Sequence, residues 1–102
     1  MNRDSSMRDK EVVVCEDEYE AKKLMWILSP TREHHNLKDI TSIGEKELIL
    51  VLDDDSSHSV MMYDEESVER LQRAVHMMLF ERKHYSIRVH RNTVHLDINN
   101  SF

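Results

Sequence analysis

The segment from Tyr85 to Ile98 alternates apolar and polar residues around Arg91 and Asn92, and no other pattern in the chain restricts the fold as strongly. If Arg91 and Asn92 form a two-residue turn, the flanking residues pair antiparallel. One face of the hairpin is then apolar and the other polar, and a register shift of one residue would mix the two. Because Arg-Asn lacks the usual glycine, a longer loop or one continuous strand remains the alternative. The apolar face would hold Tyr85, Ile87, Val89, Val94, Leu96 and Ile98.

The N-terminal part predicts one strand and one helix. Glu11 to Cys15 is a short β-branched run that favours a buried strand. A helical pattern begins after Asp17 and stops before Pro30, with acidic residues in its first turn that suit the helix dipole. Its predicted buried stripe consists of Ala21, Leu24, Met25 and Leu28.

The middle of the chain predicts three strands and a second helix. The strands are Lys38 to Ile43, Glu47 to Leu52 and Ser59 to Tyr63, with a turn at Gly44, the only glycine. Asp64 is the expected N-cap of a helix that runs to about residue 83. The predicted buried stripe of this helix consists of Val68, Leu71, Val75, Met78 and Leu79.

These elements predict an α+β fold with two helices packed on one face of a mostly antiparallel sheet of four to six strands. A ferredoxin-like βαββαβ arrangement is the expected topology. Residues 1–10 lack periodicity and are interpreted as a flexible N-terminal arm, and residues 11–102 as a single domain. Such a fold hosts many unrelated functions, so function has to be argued from particular residues.

Composition limits the class of protein. The chain has 102 residues, of which 39% are hydrophobic and 33% charged, with a formal net charge of −6. No apolar stretch has the length of a membrane span or of a signal peptide core. A single cysteine, Cys15, excludes an internal disulfide, so we expect a soluble cytoplasmic protein. The small size and the scarcity of glycine and proline also suit an accessory protein encoded by a phage, acting in the host cytoplasm.

The patterns of common catalytic and cofactor sites are missing from the sequence. One glycine cannot build a phosphate-binding loop, and the run Asp53 to Asp55 lacks the spacing of a calcium loop. Cys15 follows three valines and precedes acidic residues, which favours a buried and unreactive thiol. The seven histidines have no metal-ligand spacing. We therefore expect a protein without enzymatic activity, cofactor or metal.

Helical geometry predicts a surface for a protein partner. Tyr19 and Trp26 project away from the buried stripe of the first helix, and Met77 and Phe80 lie outside that of the second. Partly exposed residues of these types are enriched at protein interfaces. The leading hypothesis is a regulator or inhibitor of a larger protein, or a homodimer, that binds through these four residues.

Nucleic-acid binding is the alternative hypothesis. The C-terminal part carries basic residues that can contact phosphates, although the net charge is negative and no aromatic RNA-binding pattern accompanies them. Acidic clusters around residues 16–20, 53–55 and 64–69 leave open a third interpretation, in which the protein imitates nucleic acid. The nucleic-acid-binding candidates are Arg82, Lys83, Arg88, His90, Arg91 and His95.

Overall fold

The computed structural model describes residues 8–29, 37–80 and 84–99. They form six strands and two helices in the order βαβββαββ. In these ranges neither helix is long and apolar enough to cross a membrane. The elements are β1 (Arg8–Val14), α1 (Glu18–Leu28), β2 (Leu37–Ile43), β3 (Glu47–Leu52), β4 (Ser57–Met61), α2 (Glu65–Phe80), β5 (His84–His90) and β6 (Thr93–Asn99).

Local sequence explains where the helices begin. Asp17 caps α1, and its carboxylate accepts a hydrogen bond from the Glu20 backbone N–H at 2.9 Å. Asp64 accepts the equivalent bond from the Ser67 N–H at 2.9 Å at the start of α2. Such bonds satisfy N–H groups that have no partner within the helix. Both N-terminal ends therefore agree with the prediction.

The predicted single sheet of four to six strands is not confirmed. The strands form two antiparallel sheets of three, with the orders β1-β6-β5 and β2-β3-β4. The sheets meet through one isolated antiparallel bridge between Cys15 and Met62. Pairing stops there because the chain turns into a helix after each of these residues. Three strands separate the helices and two follow α2, so the order also differs from the ferredoxin-like βαββαβ.

The C-terminal hairpin has the predicted register. His90 pairs with Thr93, and the ladder continues to Tyr85 with Ile98 and beyond. Arg91 supplies the positive φ of the turn, 57°, which explains how a turn without glycine forms. β3 has the predicted bounds. β1 begins at Arg8, so three residues of the predicted arm belong to a strand, and residues 1–7 lie outside the described part.

The chain consists of two similar βαββ halves, which sequence reasoning missed. The half formed by β1, α1, β2 and β3 is followed by β4, α2, β5 and β6, and corresponding residues are 47 positions apart, as Cys15 is from Met62. The turn between β2 and β3 and the turn of the C-terminal hairpin each contain a residue with positive φ. These residues are Gly44 and Arg91, again 47 positions apart. Identical pairs include Val13 with Val60, Asp17 with Asp64, and Leu24 with Leu71.

Hydrogen bonds at the bridge are reciprocal between the halves. The Glu16 N–H donates to the Met61 carbonyl at 3.0 Å, and the Tyr63 N–H donates to the Val14 carbonyl at 2.8 Å. The Met61 N–H donates to the Glu20 carboxylate at 3.1 Å, and the Val14 N–H donates to the Ser67 hydroxyl at 3.0 Å. Each bond has its counterpart 47 residues away. An approximate twofold axis therefore passes through the Cys15–Met62 bridge.

The halves are intertwined. β1 joins the sheet of β5 and β6, whereas β4 joins the sheet of β2 and β3. α1 packs on β4, β5 and β6, and α2 packs on β1 and β2. Each helix thus covers strands of the other half, and both halves contribute to one hydrophobic core.

The helix phase differs from the prediction at one position of α1. The buried residues of α1 are Ala21, Leu24, Ile27 and Leu28, so Ile27 takes the core position predicted for Met25. Met25 is 36% exposed. In α2 the predicted residues Val68, Leu71, Val75 and Met78 are buried together with Ala74, and the side chain of Leu79 lies outside the described part.

Candidate functional site

A groove of about 740 Å³ lies between α1 and β5. Because α1 belongs to the first half and β5 to the second, the groove lies between the two halves. α1 contributes residues at helical spacing, and β5 contributes the alternate residues Tyr85, Ile87 and Val89 of one face together with Ser86. The surface is mainly apolar, with charged residues among its lining. The lining residues are Glu18, Lys22, Met25, Trp26, Ser29, Tyr85, Ser86, Ile87, Val89 and Arg91.

β5 offers unpaired backbone along the groove. It is the outer strand of its sheet, and in the described part of the chain its far edge pairs with no strand. Successive strand residues direct their N–H and C=O groups alternately to the two edges. Since Ser86, Arg88 and His90 lie at the hydrogen-bonded positions facing β6, the backbone groups of Tyr85, Ile87 and Val89 face outward. The side chains of those same three residues are half-buried against the core.

Two contacts position the groove walls. The Tyr85 hydroxyl donates to the Leu28 carbonyl at 3.0 Å, which ties β5 to the last turn of α1. Burial raises the pKa of Tyr85, so its hydroxyl keeps the proton that it donates. The Trp26 ring meets the His58 ring edge-on, with centroids 5.7 Å apart. His58 Nε2 lies 3.1 Å from the Ser56 hydroxyl, which in turn donates to Asp54 at 2.6 Å.

The twofold repeat provides an internal comparison for the groove. The positions of Met25 and Trp26 on α1 correspond to Gln72 and Arg73 on α2. Likewise Tyr85 and Val89 on β5 correspond to Lys38 and Ser42 on β2. The fold therefore accommodates polar residues at these positions. Tyr85 and Val89 pack partly against the core, but Met25 and Trp26 remain 36% and 45% exposed, which makes the α1–β5 groove the candidate functional surface.

Charges at the groove are of both signs. Glu18 and Lys22 form an ion pair of 3.2 Å on α1, and both side chains are well exposed, so the pair adds little to stability. Arg91 lies at the turn end of the groove and is exposed. Arg88 and His90 are exposed on the opposite face of β5.

The predicted partner-binding residues do not all lie at the same site in the structure. Trp26 is 45% exposed and lines the groove. Tyr19 is 69% exposed, and the Lys23 ammonium lies 5.3 Å from its ring centroid, but it is not among the groove residues. Met77 on α2 is partly buried against the core. The side chain of Phe80 lies outside the described part.

The nucleic-acid-binding candidates are only partly described. Arg88 and His95 are directly paired across β5 and β6, and His90 and Arg91 are exposed at the end of that hairpin. Arg82 and Lys83 lie outside the described residues. Arg88 and His95 line a small depression of about 60 Å³ together with Lys10, Glu11 and Asp97, whereas Arg91 borders the groove, so the four residues do not form one continuous surface.

Cys15 lies in the core and not in the groove. It is fully buried, and burial, together with the negative charges of Glu20 and Asp17, raises the pKa of its thiol to about 12. At neutral pH the residue is a protonated, inaccessible thiol and a poor nucleophile. Among the described residues, no three histidine, cysteine, aspartate or glutamate side chains are grouped as metal ligands.

Of the ten groove residues, only Trp26 and Arg91 were predicted as site residues, and the apolar residues that were missed are Met25, Tyr85, Ile87 and Val89. They were assigned to the core because their spacing matches a buried stripe or face. The 47-residue repeat was the missed signal, since aligning the halves places the polar residues Gln72, Lys38 and Ser42 opposite Met25, Tyr85 and Val89, whereas Ile87 aligns with the equally apolar Ile40. Comparison of the chain with protein-family models, curated proteins and solved structures gives no match.

Proposed function

We propose that this protein is a non-enzymatic protein-interaction module that captures an extended segment of another protein in the α1–β5 groove. The segment adds as a strand to the free edge of β5 and places every second side chain beneath α1. Strand addition of this kind obtains affinity from backbone hydrogen bonds and specificity from pockets for alternate side chains.

The outward-facing backbone of β5 supports this mode of binding. Tyr85, Ile87 and Val89 can each offer an N–H and a C=O to an added strand. An edge of this kind pairs readily with another chain unless the protein blocks it. Here the groove leaves room for the side chains of the added strand, and α1 covers them from one side.

The observation that carries the proposal is the difference between equivalent positions of the halves. Trp26 and Val89 line the groove, whereas Arg73 and Ser42 occupy the same places in the other half. Val89 packs partly against the core, but Trp26 is 45% exposed at a place where the other half carries an arginine, and a ligand would account for that exposed apolar ring. A protein that covers a segment of a larger protein in this way would act as its regulator or inhibitor.

A displayed library of random heptapeptides, selected against the full chain, tests the function without knowledge of the partner. We expect the selected peptides to have apolar residues at alternate positions, as a strand with one face in the groove requires. Trp26→Arg and Val89→Ser should each remove binding, since each installs the residue found in the other half. Arg73→Ala, at the position equivalent to Trp26 on α2, is the matched control and should retain it.

Two results would refute the proposal. One is selection of peptides without alternation, which would exclude strand addition in the groove. The other is equal binding of the same peptides by Trp26→Arg, Val89→Ser and the control, with all variants folded by circular dichroism. Binding lost in the control as well would place the contact outside the α1–β5 groove.

A further inference from the structure

The face of β5 opposite the groove is basic, and its charge affects which segments can bind at this edge. This inference rests on the proposed function. Arg88 and His90 are exposed on that face, and Arg91 follows in the turn. Asp97, the nearby acid on β6, is half-buried and lies opposite Lys10 on β1 and Ser86 on β5. Arg88 is therefore the exposed arginine on this face of β5, where it shares a small depression with Lys10, Glu11 and Asp97.

An added strand would bring a side chain directly beside Arg88. In an antiparallel addition, Tyr85, Ile87 and Val89 would exchange hydrogen bonds with the new strand. Arg88 would then occupy a position without those bonds, where the Cα atoms of opposite residues are only about 4.5 Å apart. Opposite charges at such positions stabilise the pair, whereas like charges destabilise it.

A second copy of this chain suits the edge less well. Pairing of β5 with another β5 would bring a second Arg88 to the same face. The repeated arginines would repel each other across the new ladder. The charge of the edge instead complements an acidic segment.

We infer that the captured segment alternates apolar residues with aspartate or glutamate, so that its apolar side chains enter the groove and its carboxylates meet Arg88 on the opposite face. This assigns the basic residues of the hairpin to recognition of a protein. Their role is to distinguish acidic from basic strands, while the groove recognises the apolar side chains.

Labelled synthetic peptides test this inference by fluorescence anisotropy with the full chain. The probes are Thr-Val-Glu-Val-Glu-Val-Thr, the same peptide with both Glu replaced by Lys, and Thr-Val-Val-Val-Glu-Glu-Thr, which keeps the composition but not the alternation. We expect the acidic alternating peptide to bind about tenfold tighter than the lysine peptide, because the charge opposite Arg88 changes from attractive to repulsive. The peptide without alternation should bind weakly.

Charge reversal at Arg88 sharpens the test. Arg88→Glu should invert the preference, so that the lysine peptide binds better than the acidic one. Arg73→Glu makes the same change in net charge on exposed α2, away from the groove, and should leave the preference for the acidic peptide. Arg88 and Arg73 are both exposed, so neither variant should disturb the core.

The outcomes separate this inference from the proposed function. Equal binding of acidic and lysine peptides, or an equal effect of Arg73→Glu, would overturn the charge rule while leaving strand capture intact. Weak binding of all alternating peptides would remove the proposed function as well. A concentration-dependent dimer in sedimentation that Val89→Ser dissociates would make a second copy the occupant and overturn the inference. Preferential binding of a labelled oligonucleotide over the acidic peptide, lost in Arg88→Glu, would assign the basic edge to nucleic acid.

Discussion

Trp26 on α1 and Arg73 on α2 occupy equivalent positions in the two halves of the molecule, 47 residues apart, yet only Trp26 borders an apolar groove. The Trp26 ring rests edge-on against His58 and is still 45% exposed. Trp26 thus exposes apolar ring surface to water, which is unfavourable for the protein on its own. The fold therefore does not require an apolar residue at this position, in agreement with the proposed role of Trp26 in binding.

Substitution of groove residues by their counterparts should therefore change stability little. We expect Trp26→Arg and Met25→Gln each to alter the free energy of unfolding by about 1 kcal/mol or less, because both side chains are partly exposed. Urea denaturation measures this directly. A loss of several kcal/mol in either variant would show that the apolar residues are part of the core.

Core residues at equivalent positions should be equally important in the two halves. Leu24 and Leu71 are both fully buried, one on each helix. Truncation to alanine should cost about 2–5 kcal/mol at either position, since each leaves a cavity between a helix and the strands of the other half. Chemical denaturation of Leu24→Ala and Leu71→Ala checks this. A large cost in one variant and almost none in the other would contradict a shared core.

Neither half should fold alone. Cleavage of the chain after Asp54, in the loop between β3 and β4, separates the two βαββ units. Each fragment then lacks the strands that its helix covers, so each should show a coil-like circular dichroism spectrum. The equimolar mixture should recover helix and sheet signals and migrate as one species. A native-like spectrum from either fragment alone would contradict the intertwined arrangement.

Cys15 should make the free energy of unfolding depend on pH in the alkaline range. The unfolded thiol ionises near its ordinary pKa of 9.0, whereas the folded thiol keeps its proton until about pH 12. The unfolded state thus binds fewer protons between these values, and the free energy of unfolding should fall as the pH rises, by at most about 1.4 kcal/mol per pH unit. Below pH 9 this contribution is constant.

The comparison variant for this effect is Cys15→Ala. Its free energy of unfolding should lie below that of the wild type at pH 8, because of the cavity, and the difference should shrink as the pH rises toward 11. Urea denaturation under reducing conditions gives both values. A difference that stays constant over that range would show that the buried thiol does not resist ionisation.

Local patterns allowed much of the secondary structure to be predicted. The hairpin register from Tyr85 to Ile98 was correct because one alignment alone separates apolar from polar residues. The N-cap Asp64 and the start of the first helix at Asp17 were correctly predicted, because the carboxylates of these residues satisfy N–H groups in the first turn of each helix. These signals depend on neighbouring residues and need no knowledge of the tertiary fold.

The sheet arrangement and the groove depend on contacts between distant residues. Sequence alternation does not reveal that β1 pairs with β6 or that the sheets meet at a bridge between Cys15 and Met62. The predicted stripe of α1 assigned Met25 to the core, because a helix with apolar residues at both Met25 and Ile27 has two possible phases. Trp26 was correctly predicted to be partly exposed. The groove that it lines could not be predicted, because the opposite wall is β5, almost 60 residues later in the chain.

The central claim is that an extended segment adds to the outer edge of β5, and amide hydrogen exchange tests it residue by residue. NMR spectra of the full chain, with and without bound Thr-Val-Glu-Val-Glu-Val-Thr, report the exchange rates. The account predicts that the amides of Tyr85, Ile87 and Val89 become protected, while those of Ser86 and Arg88, already paired with β6, change little. Unchanged exchange at Tyr85, Ile87 and Val89 in the saturated complex would contradict it.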